Sequence, residues 1–183
     1  MAGRILVLGY GNVDRQDDGV AWHIISQIAV QFGIPSPDPM GEGIDFSTEL
    51  ESPPDDSSDS SGGFSKKSQV DLAFALQLAP EMAENLVNYE WVCFVDAHTG
   101  NIPNEVNFIE LQSQYQASPF THHLTPQTCL ALAQALYGQS PKGFLMSVRG
   151  YEFGFSNELS EQTQRHALEA GHQLTTWLNQ LLT

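Results

Sequence analysis

Basic residues are scarce in this chain: 7 Lys and Arg stand against 22 Asp and Glu, for a formal net charge of -15 at pH 7. So few cations exclude the positive surface that nucleic acids or anionic membranes require, and neither is expected as a partner. The balance suits a metal ion or a basic partner better. Cysteine is nearly absent. Cys93 and Cys129 make no disulfide framework, and their apolar surroundings predict buried, reduced thiols in a cytoplasmic setting. Neither thiol has an activating neighbour, which argues against a cysteine nucleophile. No apolar run approaches the roughly 18 residues of a membrane span. The sequence enters a strand pattern at once, without signal-peptide organisation. Gly-Lys-Ser/Thr phosphate loops and Gly-x-Ser-x-Gly nucleophile turns are missing, and Gly9-Tyr-Gly11 lacks the third glycine of a dinucleotide fingerprint.

What remains is an ordinary globular composition over 183 residues, enough for one domain with a substantial core. The exception is a Pro/Ser/Gly/Asp-rich tract at about 35–67, which cannot bury enough apolar surface to offset the cost of ordering it. It reads as a mobile acidic insertion in the domain. It carries 8 of the 22 acidic residues: Asp38, Glu42, Asp45, Glu49, Glu51, Asp55, Asp56 and Asp59.

Outside that tract, apolar periodicity predicts strands at 4–9, 70–78, 91–96, 106–111 and 144–149, with 106–111 nearer an edge. It predicts helices at 18–33, 80–87, 124–137 and 159–182. Thr125 is the expected cap of the third helix, with Pro126 at its first position. Ser160 or Asn157 caps the last. The alternation implies an α/β fold, a largely parallel twisted sheet of about five strands with helices on both faces.

Three places combine chemistry with a strand end or a helix start. Asp17-Asp18 follows the first strand and its Gly9-Tyr-Gly-Asn12 turn. Asp96 closes the strand 91–96. Thr121-His122-His123-Leu124 precedes the third helix. In a parallel sheet all three can gather at the carboxyl edge, where open α/β sheets bind ligands. Two carboxylates and an imidazole suit a divalent ion such as Zn, Ni, Mn or Fe, with positions left open for water or a substrate donor. Taken singly, Asp18 is equally a helix-start carboxylate favoured by the macrodipole, and either histidine a capping or surface group. Asp96 is harder to explain so, because a charge ending a buried strand is costly unless paired. His23 is expected to be structural or superficial, His166 and His172 solvated; His98, close to Asp96, stays open.

With these pieces assembled, the chain resembles the endopeptidases that mature the large subunit of nickel–iron hydrogenases. The resemblance rests on Ile5-Leu-Val-Leu-Gly-Tyr-Gly-Asn12, Asp17-Asp18-Gly19-Val20, Val95-Asp96-Ala-His-Thr-Gly100, and Thr121-His-His-Leu-Thr-Pro126 running into Ala131–Gly138, in that order. It implies that Asp18 (rather than Asp17), Asp96 and His122 (rather than His123) contact the metal. It also implies that the nickel belongs to the substrate, the precursor of the large subunit, from which a C-terminal peptide is cut. The isolated protein could hold Zn there. Where many members carry a Gly-rich segment after the second strand, this chain has Leu76-Gln-Leu-Ala-Pro-Glu-Met82, resembling the branch that serves bidirectional NAD(P)-linked hydrogenases and placing Gln77 and Glu81 near the site. Two alternatives stand beside this reading. A non-catalytic nickel-binding chaperone would use the same ligands. A peptidyl-tRNA hydrolase also starts with Gly-x-Gly-Asn, but would need a basic surface and an Asn-Pro-Gly continuation where this chain has Asn12-Val13-Asp14.

Overall fold

The computed structural model describes residues 3–39, 69–113 and 124–183. Most of the acidic tract at 35–67 therefore lies outside the described residues, and so do His122 and His123. Five strands form one sheet: β1 (Ile5–Tyr10), β2 (Val70–Ala75), β3 (Trp91–His98), β4 (Val106–Leu111) and β5 (Lys142–Arg149), in the order β2-β1-β3-β5-β4. All neighbours are parallel except β4, which runs antiparallel to β5 at the edge. The helices are α1 (Val20–Phe32), preceded by a 3-10 turn at Gln16–Gly19, then α2 (Met82–Leu86), α3 (Pro126–Tyr137) and α4 (Glu161–Leu181).

The alternation of side chains along each strand divides the core into two layers. Ile5 and Val7 of β1, with Cys93 and Val95 of β3, join Ile24, Ile25 and Ile28 of α1 and Leu174 and Leu178 of α4 on one face. Leu6 and Leu8, with Val92 and Phe94, join Leu86 of α2 and Leu130 and Ala133 of α3 on the other. Because both faces are covered, the central strands are apolar throughout rather than alternating. The antiparallel edge is closed by aromatic packing: Phe144 lies 5.6 Å from Phe108 and 5.1 Å from Trp177 between ring centroids. The layered α/β architecture is the one the sequence predicts.

Differences are confined to element ends. β3 continues past Asp96 to His98 because β5 pairs with it as far as Arg149. α3 begins at Pro126 rather than Leu124, since the Thr125 side chain caps it by accepting from the Thr128 N–H at 3.2 Å. Pro80 and Glu81 precede α2 in i→i+3 turns, and β2 stops at Ala75, short of Leu78. α1 ends at Gly33, whose φ of 61° is the left-handed conformation that halts a helix. Both cysteines are buried free thiols. Among the described residues no helix is long and apolar enough to cross a membrane.

Candidate functional site

The carboxyl edge of the sheet begins at the turn after β1. Gly11 adopts φ 139° while its N–H donates to the Ala75 carbonyl at 3.1 Å, which ties the turn to β2. A Cβ at this position would collide with the backbone carbonyl of Asp18. The Gly-Tyr-Gly-Asn pattern thus has a physical cause: only glycine lets the turn fold back onto the residue that carries the acidic side chain. The Asp18 carboxylate in turn accepts the Asn12 N–H at 3.0 Å. Gly11→Ala combines backbone strain with a steric clash. We expect it to lower stability by roughly 2–4 kcal/mol in urea titrations, and to displace Asp18.

The two adjacent aspartates have opposite roles. Asp17 is fully buried, with 0% exposure, although it is charged. Its carboxylate accepts from the N–H of Tyr151 and of Glu152 at 2.8 Å each, from the Ser160 N–H and hydroxyl at 2.7 Å each, and from the Thr163 hydroxyl at 2.8 Å. Burial alone would raise its pKa. The N–H groups of Glu152 and Tyr151 and the Ser160 donors outweigh that and hold it below the usual aspartate value. Asp17 therefore anchors the segment between β5 and α4, and leaves Asp18 to face the edge.

Asp96 stands on β3, in register with Ser147 of β5 and with the same parity as Val92 and Phe94, on the α2/α3 face. Tyr10, the last residue of β1, shares that parity with Leu6 and Leu8, and its hydroxyl hydrogen-bonds the Asp96 carboxyl. The Ala97 N–H also donates to it, at 2.7 Å. Burial first, opposed by the Tyr10 and Ala97 hydrogen bonds and helped slightly by the charge on Asp18, raises Asp96 to about 7. Tyr10 is itself raised, first by burial and then by Asp96. Asp18 acts on Asp96 through its charge, the least of the contributions to the Asp96 shift. Among the described residues the ion pairs are Arg4 with Asp71 and Arg149 with Glu105, so neither carboxylate has a cationic partner there.

The third predicted ligand, His122, lies outside the described residues. Among those described, no three His, Cys, Asp or Glu side chains gather closely enough to hold a metal ion. Thr125 and the first turn of α3 follow His122 by a few positions, and Leu124 packs in the same layer as Tyr10. Gln77 and Glu81 are exposed on the connection after β2. His166 is not simply solvated: its ring stacks on Tyr151 and its Nε2 lies 3.2 Å from the Tyr151 hydroxyl. His23, half-buried against Trp22, is structural. His98 is buried, with Nδ1 accepting the Gly100 N–H at 3.1 Å. Burial raises the thiol of Cys93, and raises that of Cys129 to about 12, so neither offers a thiolate. The group that sequence reading missed is Tyr10; its parity with Leu6 and Leu8 was the available signal.

The chain is thus a mostly parallel α/β protein with Asp18 after β1 and Asp96 near the end of β3. Among solved structures this chain has the fold of the hydrogenase maturation proteases. It is similar to the hydrogenase maturating endopeptidase HybD from E. coli, with TM-score 0.59 and 19% identity over 97% of this chain and 93% of that one. It is equally similar to the [NiFe] hydrogenase maturation protease HybD from Thermococcus kodakarensis, with TM-score 0.59 and 14% identity over 96% and 99%. The hydrogenase 2 maturation peptidase from Thaumarchaeota archaeon SCGC_AB-539-E09 matches with TM-score 0.55 and 18% identity over 96% and 97%. No protein-family model matches the sequence, and comparison with curated proteins gave no match.

Proposed function

We propose that this protein is an endopeptidase that removes a C-terminal extension from the nickel-loaded precursor of a nickel–iron hydrogenase large subunit. The observation that carries the reading is the buried Asp96 carboxyl, raised to about 7 with the Asp18 charge among its causes and without a cationic partner among the described residues, in a fold shared with hydrogenase maturation proteases. A buried carboxylate with a second negative charge near it is costly to ionise, and a divalent ion brought by a substrate offsets that cost. His122, just ahead of α3, supplies the third donor. α3 runs back toward the start of β5, so its first turn belongs at the carboxyl edge. Two oxygens and one nitrogen are a borderline-hard donor set that fits nickel or zinc and leaves room for the precursor's own cysteine thiolates.

In this reading the nickel is part of the substrate. A precursor without it lacks the bridge to Asp18, Asp96 and His122, so processing waits for metal insertion. Hydrolysis adds water to the scissile carbonyl, breaks the C–N bond and delivers a proton to the departing amine. With both thiols buried and protonated, proton transfer falls to the carboxylates. A group titrating near neutrality, as Asp96 does, is matched to that task.

The test is to mix the nickel-loaded precursor with the protein and weigh the large subunit by mass spectrometry. A shortened product supports the peptidase. Stoichiometric binding with no shortening would establish a nickel-binding chaperone instead. Loss of a group that merely supports a ligand costs about 10–100-fold in metal affinity. Asp18→Ala and His122→Ala are therefore expected to lower kcat/KM by at least about 100-fold, with circular dichroism unchanged. Normal processing by both would remove these residues from the site.

A further inference from the structure

Phe155 is 100% exposed, the extreme among the large apolar side chains of the described residues. An exposed phenyl on a loose loop would call for no explanation. This one is held on a backbone fixed from both sides. The Ser156 carbonyl accepts the Gln16 N–H at 2.7 Å, and the Ser156 N–H donates to the Asp14 carbonyl at 3.2 Å. The Gly154 N–H donates to Gln16 Oε1 at 3.1 Å, and Arg15 and Ser156 form a parallel bridge. Further along, the Glu152 carbonyl accepts the Asp17 N–H at 3.1 Å, beside the carboxylate anchor that Asp17 makes with Tyr151, Glu152 and Ser160. The loop is thus laid residue by residue along 14–17, and Asp18 is the next residue on that strip.

From this we infer that Phe155 is a preformed docking anchor for the protein whose peptide bond is presented at the Asp18/Asp96 edge, and that the partner offers an apolar socket with a basic rim. The inference rests on the proposed function and adds the surface by which the substrate is selected. Aromatic side chains dominate the energetics of such contacts. A backbone fixed before association spares the entropy of ordering it on binding. The sign of the rim follows from the exposed carboxylates nearby: Asp14 on the facing segment, and Glu152 and Glu158 on the segment of Phe155 itself, with Arg15 as the cation among them. The Glu152 carboxylate is fixed by the Gln16 amide at 2.7 Å. The overall charge of -15 extends the same polarity over the molecule, and complementary charge steers the encounter.

Phe155→Ser tests this on the full chain, with the nickel-loaded precursor as probe. The phenyl group is fully exposed and packs against none of the described residues, so Tm is expected to stay at the wild-type value. KM for the precursor rises about tenfold or more, kcat is retained, and Phe155→Leu restores most of the loss. A Phe155→Ser KM within twofold of wild type overturns the inference. So does a wild-type dimer in native mass spectrometry that the substitution dissociates, which would assign the phenyl to self-association. If the wild-type protein binds the precursor without cutting it, the peptidase reading fails while the dissociation constant of Phe155→Ser still decides the anchor. Absence of any binding by the wild type overturns both.

Discussion

Asp17→Ala is expected to cost about 4 kcal/mol of folding stability, because it strips five donors, three of them buried and two part-buried, of the acceptor they share. For a chain of this size that corresponds to a fall in Tm of roughly 8–16 °C. The damage should be greatest in the segment 150–163, whose amide protons would lose protection against hydrogen exchange first. Asp17→Asn should fall between the two. One amide oxygen can keep the donors now shared by Oδ2, but the amide nitrogen then faces the Ser160 N–H, donor against donor. The pH dependence separates charge from shape. The folded pKa of Asp17 is depressed below its unfolded value, so its contribution is present above about pH 4 and is lost as the pH falls through the folded value. The stability gap between wild type and Asp17→Asn should therefore be widest at neutral pH and narrow progressively below pH 4. A constant gap down to pH 2 would show that the charge of Asp17 contributes nothing. Activity of residual folded Asp17→Asn is expected to drop as well, since the same strip positions Asp18.

The contrast between Asp17 and Asp18 marks the limit of what was readable in the chain. Strands rich in branched residues and ended by glycine or aspartate announced the central sheet, because burial on both faces leaves a continuous apolar run. The helix ends at Gly33, Thr125 and Ser160 followed from backbone chemistry that operates within four residues. Local pattern could not divide the labour between two adjacent carboxylates. Asp17 is oriented by partners more than 130 positions away, as in the bonds from Glu152 and Thr163. The resemblance alone favoured Asp18. Tyr10 was hidden for a related reason: its meeting with Asp96 requires β1 and β3 to be neighbours, and strand order is a property of the whole sheet. Asp96 was recognisable because its local environment already carried the anomaly, a carboxylate finishing a buried strand. The same kind of local logic did not extend to His166, whose partner Tyr151 lies on the connecting segment rather than on its own helix.

Asp96→Asn should abolish processing of the precursor, by about 1,000-fold or more in kcat/KM if the residue both binds the cation and transfers a proton, yet stabilise the protein alone. The two effects have one origin. Burial, helped slightly by the charge of Asp18, raises the folded pKa of Asp96 to about 7, against about 4 in the unfolded chain. The folded state thus binds the extra proton, and stability falls as the pH climbs from about 4 to about 7. Asparagine keeps an oxygen for the Tyr10 hydroxyl and the Ala97 N–H without ever ionising. The variant should match wild type near pH 4 and exceed it above pH 7, with a Tm higher by roughly 2–8 °C once partial exposure of the site is allowed for. Precursor binding carries the opposite signature. Below about pH 7 the proton competes with nickel for Asp96, so wild-type affinity should weaken by up to about tenfold per pH unit, and binding should release a proton into the buffer. Isothermal titration in two buffers of different ionisation enthalpy measures that proton directly, and Asp96→Asn should lose it. A variant that is inactive but no more stable at pH 8 would mean that Asp96 is already satisfied within the protein, by partners other than Tyr10 and Ala97. A variant that is more stable yet fully active would remove Asp96 from the chemistry. Only inactivity together with the gain in stability fits a carboxylate kept at a cost to folding for the sake of an incoming cation.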